Sequence, residues 1–250
     1  MRMRKKKHAQ SRLAACAGRV IAGAPEYSSE DRVFLEIGAG KGGFACETAR
    51  RNPAVRYFAM ERVTDCVVLA AERAEATQKE SGGLEGLRFL IGTADDLALL
   101  FAPASVERIY LNFSDPWSKK GYAKRRLTHR RYLALYLALL RDGGRLAFKT
   151  DNVDLFDFTL GELAAIGWEP SFVTRDLHAS PAAADNVMTE YETAFVAQGM
   201  KICMLTCEKP EGFSVPVPEE LTPEGRRAEH AAREARASAK NGAKRGKTEE

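Results

Sequence analysis

Short apolar runs alternate with amphipathic stretches along most of the chain. VFLEI (33–37) is apolar except for one acid and leads into GAGKGG, after which the spacing predicts a helix from about Phe44 to Arg51. RYFAME (56–61) predicts a second strand, CVVLAAERAEATQKE (66–80) a helix, and LRFLIG (87–92) a third strand. ERIYLNF (107–113) is a fourth, its apolar positions nearly continuous, as in a strand covered on both faces. RRYLALYLALLRDGG (130–144) has a strong helical period, closed by Gly143 and Gly144 in the C-cap region. GRLAFKT (144–150) predicts a fifth strand and FTLGELAAIG (158–167) a helix. WEPSFVTRD (168–176) and MKICMLTCEK (200–209) predict two more strands.

Strands alternating with helices at this spacing imply an α/β fold with a doubly wound, mostly parallel sheet. No long helix separates the last two strands, so one is expected to run antiparallel at the edge. Large apolar side chains almost vanish after Leu221. The expected organisation is a basic N-terminal arm (1–30), one globular domain (31–210) and a charged, disordered tail (211–250), with weak helical character around RRAEHAAREARASAK.

Composition narrows the picture. A chain of 250 residues with 45% hydrophobic content suits one sizeable domain with tails. No apolar run approaches the roughly 18–20 residues of a membrane span. The basic start MRMRKKKH lacks a following apolar segment, so no secretory signal is expected. The five cysteines are odd in number, scattered and without C-x-x-C, which reads as reduced thiols in a cytoplasmic protein. Cys203 and Cys207 would share one face of a strand, as buried packing; no metal is expected. The net charge of +4 hides segregation, because residues 1–19 and 117–131 each hold seven basic side chains and no acid. Two such blocks on an otherwise acidic body point to a polyanionic partner, against a solvated arm and helix face as the plainer reading.

The loop Gly38-Ala39-Gly40-Lys41-Gly42-Gly43 fits G-x-G-x-x-G between a strand and a helix, where glycines such as Gly38 and Gly40 let backbone approach a nucleotide-type ligand. Both NAD and S-adenosylmethionine (SAM) use such loops. Glu36, inside the strand end, would repel a pyrophosphate but suits SAM, with its sulfonium and amino group. Glu61, ending the second strand, can hold ribose hydroxyls, and Thr93 or Asp95 follows the third strand near an adenine edge. SAM is the better fit. Asp115 lies just past the fourth strand, at the carboxyl edge where open α/β sheets bind ligands. Pro116 forces an extended exit, and Trp117 offers a face for stacking on a base.

LEIGAGKG, the Glu61 strand end, NFSDPWSKK with KRRL after it, FKTDN (148–152) and TEYE (189–192) occur in that order. Together they resemble the bacterial tRNA (guanine-N7)-methyltransferase family over about residues 33–207. The resemblance implies a Rossmann-like SAM methyltransferase sheet and methyl transfer to N7 of a guanine in the tRNA variable loop. It implies that Glu36, Glu61 and Asp115 contact SAM, and that Lys119, Asp151, Thr189, Glu190, Tyr191 and Glu192 contact tRNA. The chain departs from the family's pattern in having Thr93-Ala94-Asp95 where Asp-Ala is common, and Ser118 where Pro is common.

Guanine N7 carries a lone pair and no proton, so methylating it needs alignment and charge stabilisation rather than a general base. Asp115, the candidate catalytic residue, can accept hydrogen bonds from the cofactor's amino group or guanine's N–H donors and favours positive charge on the base. Lys120, Lys124, Arg125 and Arg126 would contact phosphates; for Arg130 and Arg131 a solvated helix face is an equal alternative. Glu192 could pair with guanine donors if its segment is extended. Three other readings compete: an NAD-linked dehydrogenase, a SAM enzyme for another RNA or base position, and a non-catalytic RNA-binding relative. The sequence leaves monomer against homodimer open.

Overall fold

The computed structural model of the chain describes residues 9–245, so much of the basic arm, residues 1–8, lies outside it. In chain order the elements are α1 (Ala9–Ala15), β1 (Val20–Ile21), β2 (Val33–Ile37), α2 (Gly43–Arg51), β3 (Arg56–Glu61), α3 (Thr64–Ser81), β4 (Leu87–Ile91), α4 (Leu97–Leu100) and β5 (Val106–Asn112). There follow α5 (Arg130–Leu139), β6 (Leu140–Thr150), α6 (Val153–Ala165), β7 (Phe172–Thr174), α7 (Glu190–Val196), β8 (Cys203–Glu208) and α8 (Pro223–Arg245).

Among the described residues, eight strands form one sheet in the order β1-β4-β3-β2-β5-β6-β8-β7. Strands β1 to β6 pair in parallel. The antiparallel strand expected at this end is β8, with β7 outside it. From β2 the chain builds outward to β3 and β4 on one side, then returns to lay β5 and β6 on the other. Strand order therefore reverses between β2 and β5, and a crevice opens beyond their carboxyl ends.

Alternate side chains of the strands feed two cores. On one face Phe34, Tyr57, Leu87 and Phe89 pack against the alanines of α2 and α3, among them Ala45, Ala70 and Ala74. On the other, Leu35, Phe58, Ile109 and Phe148 meet Leu133 and Leu137 of α5 and Phe156 of α6. Cys203 and Cys207 are buried in this second core.

Several elements depart from the sequence pattern. Helix α5 ends at Leu139, four residues before the first of the two expected cap glycines, because Leu140 pairs with Val106 of β5 and starts β6. Gly143, at φ +72°, instead donates its N–H to Lys209 O (2.9 Å). Helix α6 begins five residues early because Asn152 Oδ1 caps it, accepting from Leu155 N (2.7 Å). Strand β1 was not foreseen; its neighbour Arg19 is buried and paired with Glu75 of α3 (2.8 Å), while Arg12 of α1 pairs with Glu72 (2.6 Å). Two basic residues of the arm are thus structural. The stretch expected to be disordered contains α8, whose Arg226 is buried against Asp96 (2.7 Å) beyond the buried Leu221. No helix among the described residues is long and apolar enough to cross a membrane.

Gly42 shows how the glycine loop is fixed to this scaffold. Its φ is +75°, and an added Cβ would lie 2.8 Å from Ala70 Cβ of α3. Gly42→Ala should therefore destabilise the protein by roughly 1–3 kcal/mol, through a left-handed backbone and an overpacked helix contact. Urea denaturation measures this, and an unchanged midpoint would show that the loop relaxes freely.

Candidate active site

Glu36 lies within β2 and is only 2% exposed. Asn112 Nδ2 donates to its Oε1 (3.1 Å) and the Tyr57 hydroxyl to its Oε2 (3.3 Å). Tyr57 stacks on Tyr110 with ring centroids 6.3 Å apart, and Phe44 meets Tyr110 edge-on at 5.2 Å. Burial pushes the Glu36 carboxyl up to about 7, although both hydrogen bonds and the charge of Lys149 pull the other way. An acid in this state readily gives up its proton to pair with an arriving cation.

Beyond Glu36 the chain turns through Gly38 (φ +87°) and Gly40 (φ +55°), with Gly38 N and Ala39 N donating to Met60 O. A Cβ built on either glycine would meet no atom within 4 Å, so the backbone here borders open space. A ligand can approach it closely, and the cradle fits a nucleoside cofactor. Glu61 accepts from Gly40 N (3.1 Å) and Val63 N (2.8 Å), which fixes its carboxylate beside the loop. Two loops along, Asp95 accepts from Arg131 Nη2 (2.9 Å) and Tyr132 OH (2.7 Å) of α5. Asp95 thus holds a helix, and Thr93 is the more exposed of the two candidates after β4.

Past β5, the segment carrying Asp115 is bracketed by Phe113 (φ +51°) and Trp117 (φ +41°). Two non-glycine residues in the left-handed region persist only where surrounding contacts enforce them. Arg126 supplies such contacts, donating from Nε to Pro116 O (2.8 Å) and from Nη2 to Trp117 O (3.2 Å). Arg126, expected on a phosphate, is instead a brace for the loop. Asp115 is left 64% exposed, 3.4 Å from Arg62. Trp117 is half-buried against Tyr122 (5.8 Å), with Arg125 over both rings at 5.1 and 4.6 Å.

The rest of the basic block divides. Arg130 pairs with Glu162 (2.9 Å) and Arg131 with Asp95. Lys119, Lys124 and Arg125 are exposed, while the side chain of Lys120 lies outside the described part. Asp151 follows β6 as Asp115 follows β5, half-buried beside the Asn152 cap.

TEYE is a helix start rather than an extended segment. Thr189 caps α7, its Oγ1 accepting from Glu192 N (3.0 Å) in a capping box. Glu192 is fully buried and accepts from Lys149 Nζ (2.6 Å) and Asn186 Nδ2 (2.6 Å), with His178 Nε2 at 3.0 Å. It is therefore occupied inside the protein and does not offer its oxygens to a base. Burial pushes the Lys149 ammonium down, while Glu192 pulls it up. Lys149 was missed by the motif reading; a lysine between Phe148 and Thr150 in an apolar strand was the available signal. His178 belongs to this network as well. Glu190 pairs with Arg73 (2.5 Å), and Tyr191 is 62% exposed, stacked on Phe195, which neighbours Phe113 (5.9 Å).

Comparison with known proteins adds a second line. A family model described as "Putative methyltransferase" matches residues 30–205. The chain is 43% identical over 176 residues to a tRNA (guanine-N(7)-)-methyltransferase of Lachnoclostridium phytofermentans, covering 70% of this chain and 80% of that protein. It is 40% identical to the protein of the same name from Geobacillus sp. over 210 residues, 81% of this chain and 93% of that one. Among solved structures, 16S rRNA methyltransferase KamB shares the fold at a TM-score of 0.54 and 16% identity, covering 84% of this chain and 97% of that one.

The raised Glu36 carboxyl sets a pH dependence. Its protonated form is favoured in the folded protein, so the stabilisation is present below about pH 4.5 and lost as pH rises through about 7. Relative to Glu36→Gln, the unliganded wild-type protein should lose on the order of 3 kcal/mol between pH 4.5 and 8. Chemical denaturation across that range would show it, and parallel pH profiles would mean that Glu36 ionises freely.

Proposed function

The chain belongs to the tRNA (guanine-N7)-methyltransferase family, and on that footing we propose that it transfers the methyl group of SAM to N7 of a guanine in tRNA. One observation carries the reading. A buried, cation-seeking Glu36 in β2 and an exposed Asp115 three residues past the end of β5 lie at the carboxyl edge of two adjacent parallel strands, where strand order reverses, and exposed cations follow Asp115 in the same loop.

Bound along this edge, SAM supplies a methyl group on a positively charged sulfur. Glu36 takes up the positive charge of the amino-acid end, Gly38 and Gly40 let the backbone come close, and Glu61 holds the ribose hydroxyls. Thr93 lies on the adenine side, farthest from Asp115. Asp115 orients the acceptor by hydrogen bonds to guanine N–H donors and favours the positive charge that the ring acquires. Since N7 bears no proton, the side chains here need only align and stabilise.

Lys119, Lys124 and Arg125 follow the phosphates, joined by Lys120 from the same turn. Asp151, Glu190 and Tyr191 border the acceptor side, where the exposed part of the Tyr191 ring, backed by Phe195, can stack on a base. Thr189 and Glu192 act through the start of α7, which they hold in place. An enzyme with a tRNA substrate would work in the cytoplasm.

Two measurements test this. Labelled methyl from SAM should appear as 7-methylguanosine in unmodified tRNA, and Asp115→Ala should slow transfer by about 100-fold or more while cofactor affinity stays within a few-fold. No label in tRNA despite SAM binding would move the activity to another acceptor. Separately, Arg125→Ala should weaken tRNA binding and lower the slope of log affinity against log salt by about one. An unchanged slope would show that Arg125 meets no phosphate.

A further inference from the structure

The C-terminal helix α8 reaches the edge of the sheet at the one loop where this chain departs from its family's acid. Asp96 follows β4 and holds two sets of partners on its two oxygens. Oδ1 accepts from Arg226 Nη2 (2.7 Å) and Nε (3.2 Å), and lies 2.9 Å from His230 Nε2. Oδ2 accepts from the Thr93 hydroxyl (3.2 Å). Arg226 is itself buried and carries a second acid, Glu229, on the same helix. Burial alone would raise the Asp96 carboxyl, but the Arg226 bonds and charge outweigh it and keep Asp96 ionised.

A threonine hydroxyl is ambivalent, with one proton to donate and two lone pairs to accept with. An ionised carboxylate can only accept. Once Oδ1 is taken by the tail, Oδ2 draws the Thr93 proton toward itself, and the threonine oxygen turns outward as an acceptor. The position of Thr93 along the edge says what it would accept from. The order β4, β3, β2, β5 places Thr93, Glu61, the glycine loop and Asp115 in sequence, so a nucleoside lying along the edge brings its base to β4. The base of an adenosyl group presents an exocyclic amino donor.

We infer that α8 is a positioning element of the cofactor site: Arg226 and His230 hold Asp96, and Asp96 fixes the Thr93 hydroxyl as an acceptor that selects the adenine amino group. The inference rests on the SAM reading above. It gives a task to a segment that lies beyond the family match at residue 205.

The test uses the full-length protein and calorimetric binding of two ligands. One is S-adenosylhomocysteine, and the other is its inosyl analogue, in which a carbonyl oxygen replaces the amino group. The readout is the ratio of the two affinities, and differences arising at the neighbouring ring nitrogen are common to all variants. In Asp96→Asn, Arg226 keeps the amide oxygen on its side and turns the amide N–H₂ toward Thr93, which is released from its fixed role. The preference for the adenosyl ligand should fall by at least about fivefold relative to wild type. Thr93→Val should lose it to the same extent, and combining the two should add nothing.

If Asp96→Asn does not fold, as a thermal melt would show, Arg226→Ala/His230→Ala frees Asp96 from the other end and should lower the ratio likewise. A folded Asp96→Asn or Arg226→Ala/His230→Ala protein with the wild-type ratio overturns the inference. So does a Thr93→Val ratio equal to wild type. Wild-type protein that binds neither ligand overturns the SAM reading instead.

Discussion

A charge inside a sheet costs several kcal/mol unless partners stand within hydrogen-bond reach, and this sheet buries two near its carboxyl edge. Lys149 in β6 is answered in full, by Glu192, Asn186 and the carbonyl of Val187. That ion pair fastens α7 to the centre of the sheet. Glu36 in β2 is answered only by neutral donors, Asn112 and Tyr57, and its carboxyl rises toward neutrality in consequence. One charge is settled by an opposite charge within the fold and the other is not. The contrast separates scaffold from site more sharply than burial does, since both side chains are almost wholly enclosed.

The same division runs through the basic block after Asp115. Of its seven cations, Arg126 grips the carbonyls of Pro116 and Trp117, Arg130 binds Glu162, and Arg131 binds Asp95. Lys119, Lys124 and Arg125 remain exposed. Arginine suits these paired positions because its planar fork can satisfy two acceptors at once. A count of positive charge therefore overstates what is open to a partner, and part of that charge maintains the backbone of the loop that presents Asp115.

Much of the fold was legible because its signals are local. β2, β3, β4 and β5 announce themselves as apolar runs bounded by polar residues, and the glycine loop with Glu36, Glu61 and Asp115 is fixed by position on those strands. Where one apolar element passes straight into another, as Leu139 passes to Leu140, periodicity has no mark for the boundary. The Asn152 cap was a local signal that went unread. Other features were hidden for a different reason: Glu192 reads as a free acid until Lys149, 43 residues away, is seen beside it. Likewise nothing near Thr93 in the sequence shows that its neighbour Asp96 is held by Arg226, 130 residues away.

Arg226 and Asp96 stand 130 residues apart in the chain. At the usual pace of synthesis, about 5–20 residues per second, roughly ten seconds separate the appearance of the two on the ribosome. The glycine loop and the strands around it are by then already made. The contact of Arg226 with Asp96, beside the loop after β4, can thus form only after every strand of the sheet has been synthesised.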